Sequence, residues 1–322
     1  MLASSSVQPL AGFLVADFSR YTPGPFATRE LLRLGARVVR IEPPEGDSLR
    51  ALAPGWDEAI NAGKESVLCD LKEETGLALA QALVDRADVV VDGFRPGVLE
   101  RVGLRFPVSA VFCSITGFGP DSQRAGHDLN YVGWAGLLED TSPSIPPTQI
   151  ADLCAGSLAA VAEILAALLE RARTGRGVRL EISMTHGSHR LAAHRRAGEP
   201  IPKTLTGGLA CYRIYETRDK RWLTLAALEP KFFRRLSELV ERPELADCQY
   251  DPTLQDELAA DLARTFAERT LAEWLELFEG EDVCVGPVGT LEEAAEQFGF
   301  EIEGHAAALG EHTQVWRAEL GL

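Results

Sequence analysis

Four runs follow one another without a gap near the start of the chain: Gly12 to Phe18 (GFLVADF), Ser19 to Pro25 (SRYTPGP), Phe26 to Gly35 (FATRELLRLG) and Ala36 to Glu42 (ARVVRIE). The first is a short apolar run that reads as a buried strand, and the last reads as a second strand. Between them, Phe26 to Leu34 carries apolar residues at helical spacing and stops at Gly35. Strand, turn, helix and strand in about thirty residues make a βαβ unit, which opens a parallel α/β sheet. The pattern continues with a helix at Glu73–Ala87, a strand at Asp88–Asp92, a strand at Ser109–Thr116 and a strand at Val178–Ile182. A Gly-rich loop runs from Gly117 to His127. A dinucleotide-binding fold would keep its ribose acid at Glu42, the end of the second strand. The turn Ser19–Pro25 lacks Gly-x-Gly-x-x-Gly, so no nicotinamide cofactor is expected.

From Leu153 to Leu169 nearly every position is apolar or small, which reads as a helix buried on most of its faces. Glu163 interrupts it, and no run is expected to cross a membrane. Arg171 and Arg173 suit its C-terminal dipole and Gly175 can close it. Asp152 stands at its mouth, as a helix cap if nothing else.

The chain of 322 residues has room for two domains. Residues 1–184 read as a large Rossmann-like domain, with a C-terminal return over 298–322. Residues 185–208 hold His186, His189, His194, Arg190, Arg195 and Arg196 with little apolar pattern, and read as a linker. They lack an acidic partner for a metal, so no metal site is expected. Residues 209–297 read as a small α+β domain, with a hairpin at Cys211–Thr217 and Arg221–Ala227. Helices follow at Lys231–Val240, Gln255–Glu268, Leu271–Phe278 and Leu291–Gln297, with a short strand at Val283–Val288. The net charge of −16 is unevenly spread. Glu238–Leu322 holds 21 acids against 4 arginines, a net −17 that leaves +1 for the rest. That excludes a basic face for nucleic acid, and leaves the neutral part as the place for a phosphorylated ligand. The six cysteines (69, 113, 154, 211, 248, 284) form no close pair, as expected of buried thiols in a reducing cytoplasm. Met1–Leu14 shows neither a basic start nor a sustained apolar stretch, so no signal peptide or membrane partner is expected.

Three polar residues stand out in apolar or small surroundings: His127 in Gly126-His-Asp-Leu-Asn-Tyr131, Asp152, and Glu229 in Leu228-Glu-Pro230. Singly each has a plain role, as a loop histidine, a helix cap and a helix-start carboxylate. Together they resemble those of the family III CoA-transferase (CaiB/BaiF-type) superfamily, and within it the α-methylacyl-CoA racemase branch. The resemblance also runs through Pro23-Gly-Pro-Phe-Ala27, Leu34–Glu42, Gly63-Lys64 with Asp70-Leu-Lys72, and Gly93-Phe-Arg-Pro-Gly-Val98. It continues through Thr116-Gly-Phe-Gly-Pro120, Thr174-Gly-Arg-Gly177 and Leu309-Gly-Glu-His-Thr313.

The resemblance implies an acyl-CoA substrate and a Rossmann-like large domain with a smaller α+β domain. It implies an interlocked homodimer, with Glu229 reaching His127 across the interface. It implies no separate cofactor, since coenzyme A is part of the substrate. His127 and Asp152 would exchange the proton α to a thioester carbonyl, one on each face. Glu229 would hydrogen-bond the other ring nitrogen of His127. Backbone N–H groups at the start of the Leu153 helix would meet the enolate oxygen. Arg40, the turn Asn61-Ala62-Gly63-Lys64 and Arg95 would hold the coenzyme A phosphates and adenine, and Gly126, Asp128, Asn130 and Tyr131 would line the substrate site. Two other readings stay open: a CoA-transferase working through an Asp152 anhydride, and a degenerate acyl-CoA-binding protein.

Overall fold

The βαβ unit opens a six-stranded parallel sheet in the order β3-β2-β1-β4-β5-β6. The computed structural model describes residues 8–198, 203–299, 302 and 304–322. Residues 1–7, residues 199–202 of the expected linker and residues 300, 301 and 303 of the expected C-terminal return lie outside the described residues. The strands are β1 Leu14–Asp17, β2 Arg37–Glu42, β3 Glu65–Leu68, β4 Val89–Asp92, β5 Val111–Thr116 and β6 Arg179–Ser183. β1 pairs with β2 on one side, Asp17 beside Arg40, and with β4 on the other, Asp17 beside Val91. The sheet therefore changes direction between β1 and β4. The loops leaving these two strands flank the crevice in which open α/β sheets collect ligands.

Both faces of the sheet are covered, which is why β1, β4 and β5 are buried along their whole length. On one face the helix Pro23–Arg33 and the long helix Ala151–Thr174 pack around Leu31, Val38, Val91, Ile115 and Ile164. On the other, the helices Glu74–Arg86 and Thr313–Leu320 pack around Leu79, Leu83, Val90 and Trp316. The Ala151–Thr174 helix is 24 residues long and apolar enough, by length and composition, to cross a membrane. That corrects the expectation that no segment would qualify. Here its buried side is a core face of the sheet layer, with Ala160, Ile164, Ala167 and Leu168 inside. It ends as its sequence requires: Gly175 has φ +70° and its N–H donates to the Arg171 carbonyl at 2.7 Å.

Among the described residues β3 is an edge strand, and the C-terminal return covers it. The His312 amide donates to the Ser66 carbonyl at 2.9 Å, and the Leu68 amide donates to Thr313 Oγ1 at 3.0 Å. Trp316 is fully buried, donates its Nε1–H to Glu65 at 2.5 Å and lies under the Arg37 guanidinium at 4.1 Å. An exposed ladder edge invites pairing with other chains, and this segment closes it.

The chain divides into two units, Met1–Ala193 with Glu301–Leu322, and His194–Phe300. The second has its own core of Leu209, Leu223, Phe233, Phe266 and Trp274. Its three-stranded antiparallel sheet is ordered β7-β8-β9, with β7 Tyr212–Glu216, β8 Trp222–Ala226 and β9 Val285–Pro287. The helices Pro230–Leu239, Gln255–Phe266, Leu271–Leu277 and Leu291–Phe298 lie close to their expected limits. The expected linker is corrected at its start. Met184–Leu191 is a helix of the first unit, capped by Ser183, whose side chain accepts from the His186 amide. Its polar sequence hides a close approach: a Cβ on Gly187 would stand 2.8 Å from the Ala155 carbonyl oxygen. Backbone against backbone leaves little apolar pattern to read. The cysteines are also corrected in part. All six are free, but only Cys69, Cys113 and Cys211 are buried, while Cys154 and Cys284 are exposed.

A buried carboxyl in the sheet makes stability depend on pH. Asp92 ends β4, and the Ser114 hydroxyl of β5 donates to it at 2.7 Å. Burial lifts its pKa from 3.8 to about 7, and the Ser114 bond only partly opposes that. The folded carboxyl keeps a proton that the unfolded chain gives up from about pH 4. Stability from this group therefore declines as pH climbs to about 7, then levels off. Asp92→Asn should remove that decline. At pH 8 the variant should be more stable than the parent by on the order of 2 kcal/mol, with little difference at pH 4. Thermal unfolding across that range checks it, and parallel curves would contradict it.

Candidate active site

Asp152 lies in the first turn of the long helix, after Ile150 and Ala151, and is not the residue that caps it. The turns from Ala151 to Leu158 are π-helical before α-helix resumes at Ala159. Such wide turns are uncommon and recur at functional sites. The buried Ser157 hydroxyl fixes this one, lying 2.8 Å from the Asp152 carbonyl and 2.6 Å from the Pro23 carbonyl as their donor. It ties the Asp152 turn to the start of the Pro23–Arg33 helix. After Asp152 the turn continues through Leu153, Cys154 and Ala155. Cys154 is exposed, and Ala155 turns inward against Gly187.

His127 precedes the short helix Asp128–Trp134 with extended backbone, φ −129° and ψ 176°. Its amide donates to Asn130 Oδ1 at 3.0 Å, and its carbonyl accepts from the Asn130 and Tyr131 amides at 2.8 and 3.2 Å. The Tyr131 hydroxyl donates to the Gly126 carbonyl. Gly126 must be glycine, because a Cβ there would meet the Tyr131 ring at 2.8 Å. Gly126, Asn130 and Tyr131, expected to line a substrate site, thus frame the histidine. Its imidazole stays exposed.

Asp128 joins the two catalytic candidates. Its Oδ1 accepts the Asp152 amide at 2.9 Å, so the residue after His127 is bonded to the backbone of Asp152. Local pattern carries no sign of this clamp, since the partners are 24 residues apart. Burial raises the Asp152 pKa from 3.8 to about 7, and the Asp128 charge adds to the rise. The Asp152 side chain is thus poised between acid and base near neutral pH. One expectation is corrected here. The Asp152 amide is taken by Asp128, and the Leu153 amide donates to the Gln149 carbonyl at 3.0 Å. These two N–H groups are not turned outward toward an enolate.

The residues expected around phosphates fall into two groups. Arg40, Asn61, Ala62 and Lys64 are buried. Arg40 is paired with Asp57 at 3.1 Å, Glu42 at 3.4 Å and Asp47 at 3.8 Å. Lys64 donates to the Pro25 carbonyl and Thr28 Oγ1, each at 2.7 Å, and to Asn61 Oδ1 at 2.9 Å, with Asp17 at 3.5 Å. Burial lowers its pKa to about 8 although Asp17 opposes the shift. Glu42, the residue a ribose would need, is held by Arg50 at 2.6 and 2.9 Å. Gly63 and Arg95 are exposed, and the Arg95 carbonyl accepts the Val98 amide at 3.2 Å. Arg20 was missed. It follows β1 with its guanidinium 5.5 Å from the ring of Phe94, the residue before Arg95, on the loops that leave β1 and β4 where the sheet changes direction. Its place in the first strand-to-helix loop was the available signal.

Glu229 belongs to the second unit. It precedes the Pro230–Leu239 helix, exposed and extended, φ −73° and ψ 137°. Among the described residues no three His, Cys, Asp or Glu side chains converge as a metal site requires.

Residues 10–317 match the profile of CoA-transferase family III. The chain belongs to that family. Alpha-methylacyl-CoA racemase of Homo sapiens is 32% identical over 308 residues, covering 88% of this chain and 78% of the human protein. Succinyl-CoA:glutarate CoA-transferase of Mus musculus is 32% identical over 323 residues, covering 89% of this chain and 74% of the mouse protein. The crystal structure of a CaiB/BaiF family protein from Brucella suis superposes with a TM-score of 0.82 at 28% identity, covering 97% of this chain and 99% of that one. Family III is enzymatic, and the relatives of this chain include both racemases and CoA-transferases.

Because burial and Asp128 both lift the Asp152 pKa, Asp128→Asn should undo only part of the rise. The amide oxygen can still accept the Asp152 N–H, so the turn should hold. Carbon-detected NMR titration of aspartate carboxyls should put Asp152 lower than in the parent but still above 4. An unchanged value would deny Asp128 its electrostatic part.

Proposed function

We propose that this family III protein is an acyl-CoA racemase or epimerase. It would invert the α-carbon of a 2-methyl, or other 2-substituted, acyl-CoA thioester. The observation that carries the reading is the Asp128 clamp, which bonds the residue next to His127 to the backbone of Asp152. Inversion needs a base on one face of the α-carbon and an acid on the other, exchanging roles with direction. A carboxyl lifted to about 7 can both give and take a proton near neutral pH, as that exchange requires. A nucleophilic carboxylate, the transferase alternative, gains nothing from being half protonated and has no use for His127. The transferase reading keeps one support, since the mouse transferase is as similar to this chain as the human racemase.

In this reading His127 and Asp152 pass the proton, and Glu229 orients the imidazole through its other ring nitrogen once the protein has assembled. Arg20, Arg95 and the Gly63 turn meet the coenzyme A phosphates. Arg40 and Lys64 support that surface from beneath, through the ion pairs and hydrogen bonds that hold the turn.

In deuterated water the enzyme should place solvent deuterium at Cα of a 2-methylacyl-CoA with no acid acceptor present, read by mass spectrometry. His127→Ala and Asp152→Ala should each abolish inversion, since each removes one face. Glu229→Gln should slow it without abolishing it. CoA passing to a second carboxylate, with no label at Cα and His127→Ala fully active, would replace this reading with the transferase. Binding of acyl-CoA with neither exchange nor transfer would leave a binding protein.

The same reading includes a homodimer. Three large apolar side chains of the first unit stand in solvent in the lone chain, Leu169 at 72% exposure, Trp134 at 68% and Leu158 at 48%, and a partner subunit would cover such side chains. Light scattering at micromolar concentration should therefore find about 70 kDa, twice the 34.9 kDa of the chain. A well-folded monomer would contradict it.

A further inference from the structure

The segment that carries Glu229 is held by an unusual pair of buried amides. β8 ends at Ala226, so the next carbonyls, of Ala227 and Leu228, leave the sheet without ladder partners. Gln249, only 4% exposed, supplies both: its Nε2 donates to Ala227 at 3.0 Å and to Leu228 at 2.8 Å. The Tyr250 hydroxyl donates to the same Leu228 carbonyl. Gln249 is itself fixed by Gln255, 7% exposed, whose Nε2 donates to the Gln249 carbonyl at 3.1 Å and to the Asp251 carbonyl at 2.8 Å. The Gln255 Oε1 accepts the Ala210 amide at 2.9 Å. Buried amides are costly unless fully bonded, and a fully bonded network rigidifies what it touches.

What it touches is the backbone just before Glu229. On the other side Pro230 restricts Glu229 to extended conformations, and the Glu229 carbonyl accepts the Phe232 amide at 3.0 Å as the helix begins. The backbone of Glu229 is thus fixed from both directions. Its carboxylate is nevertheless exposed, and among the described residues of its unit it has no ion pair or hydrogen bond. No described residue of the second unit bonds this carboxylate, although the segment beneath it is heavily constrained.

We propose that Gln249, with Tyr250 and Gln255, is a positioning residue that presets the Glu229 carboxylate for the reaction. The proposal rests on the reading that Glu229 serves His127. The latch spares Glu229 the ordering that a loop carboxylate would need at each turnover. Its loss should therefore lower kcat while leaving the KM for acyl-CoA unchanged.

The test compares Gln249→Met, Tyr250→Phe, Glu229→Gln and the Gln249→Met/Glu229→Gln double variant in the full-length protein. Two readouts are needed: backbone hydrogen exchange over residues 226–233, and Cα deuterium incorporation from pH 5 to 9 with 2-methylacyl-CoA. Gln249→Met should speed exchange in 226–233 and lower kcat about tenfold. It should also shift the pH profile toward that of Glu229→Gln. The double variant should be no slower than Glu229→Gln alone, because both changes act through one carboxylate. Tyr250→Phe, which loses a single donor at the surface, should do the same to a smaller extent and serves if Gln249→Met fails to fold. Unchanged local exchange, or a slow Glu229→Gln beside fully active folded latch variants, overturns the latch alone. A fully active Glu229→Gln overturns the reading of Glu229, and the latch as a device for the reaction falls with it.

Discussion

The Lys64 ammonium is the interaction on which the first unit depends. It is buried beneath the ends of β1 and β2, where Pro25, Thr28, Asn61 and Asp17 surround it. Those partners come from the end of β1, the start of the Pro23–Arg33 helix and the end of the Pro54–Asn61 helix. One charge therefore fixes three elements at the edge of the crevice. Beside it, Arg40 and Arg50 are paired with Glu42, Asp47 and Asp57, while the second terminal nitrogen of Arg40 is buried without a hydrogen-bond partner among the described residues. Stripping one partner from such a buried group leaves a stranded charge, typically at a cost of about 3–5 kcal/mol. The cluster defines where the crevice can be, and leaves the exposed loops to meet a ligand.

The same helix start that Lys64 secures also sets the candidate catalytic turn. Ser157 bonds the Pro23 carbonyl and the Asp152 carbonyl together, so the π-helical turn rests on the crevice edge. Asp128 then brings the histidine turn onto it. The chemistry proposed here needs a carboxyl that can hold or release a proton near neutral pH, on a rigid frame. Burial supplies the first condition at Asp152, and these two hydrogen bonds supply the second. The second unit shows a related economy, with Gln249 and Pro230 constraining the backbone around an exposed carboxylate.

Much of this was legible in local pattern. The run Gly12–Glu42 announced a buried parallel sheet because strands covered on both faces cannot alternate. The long helix and its end at Gly175 followed from apolar content and from the left-handed conformation that glycine tolerates. His127, Asp152 and Glu229 stood out as polar residues in apolar or small surroundings. β3 was missed because Glu65-Ser66-Val67-Leu68 opens on two polar residues and shows no apolar run, unlike the equally short β1 and β4.

The sequence by itself determined the α/β architecture, the hairpin and helices of the second unit, and the family to which the motifs point. Only the tertiary structure decided what the charges do. Arg40 and Lys64 look like ligand cations in the chain, yet their carboxylate partners lie 17 and 47 residues away and claim them for the interior. Met184–Leu191 looks like linker because its helix is held by the approach of Gly187 to Ala155, which leaves no apolar stripe. Asp128 looks like a substrate contact and proves to be the clamp on Asp152. Periodicity and composition record which faces a segment buries. They carry no record of which distant group arrives to satisfy a charge or an amide, because that is fixed by packing between elements.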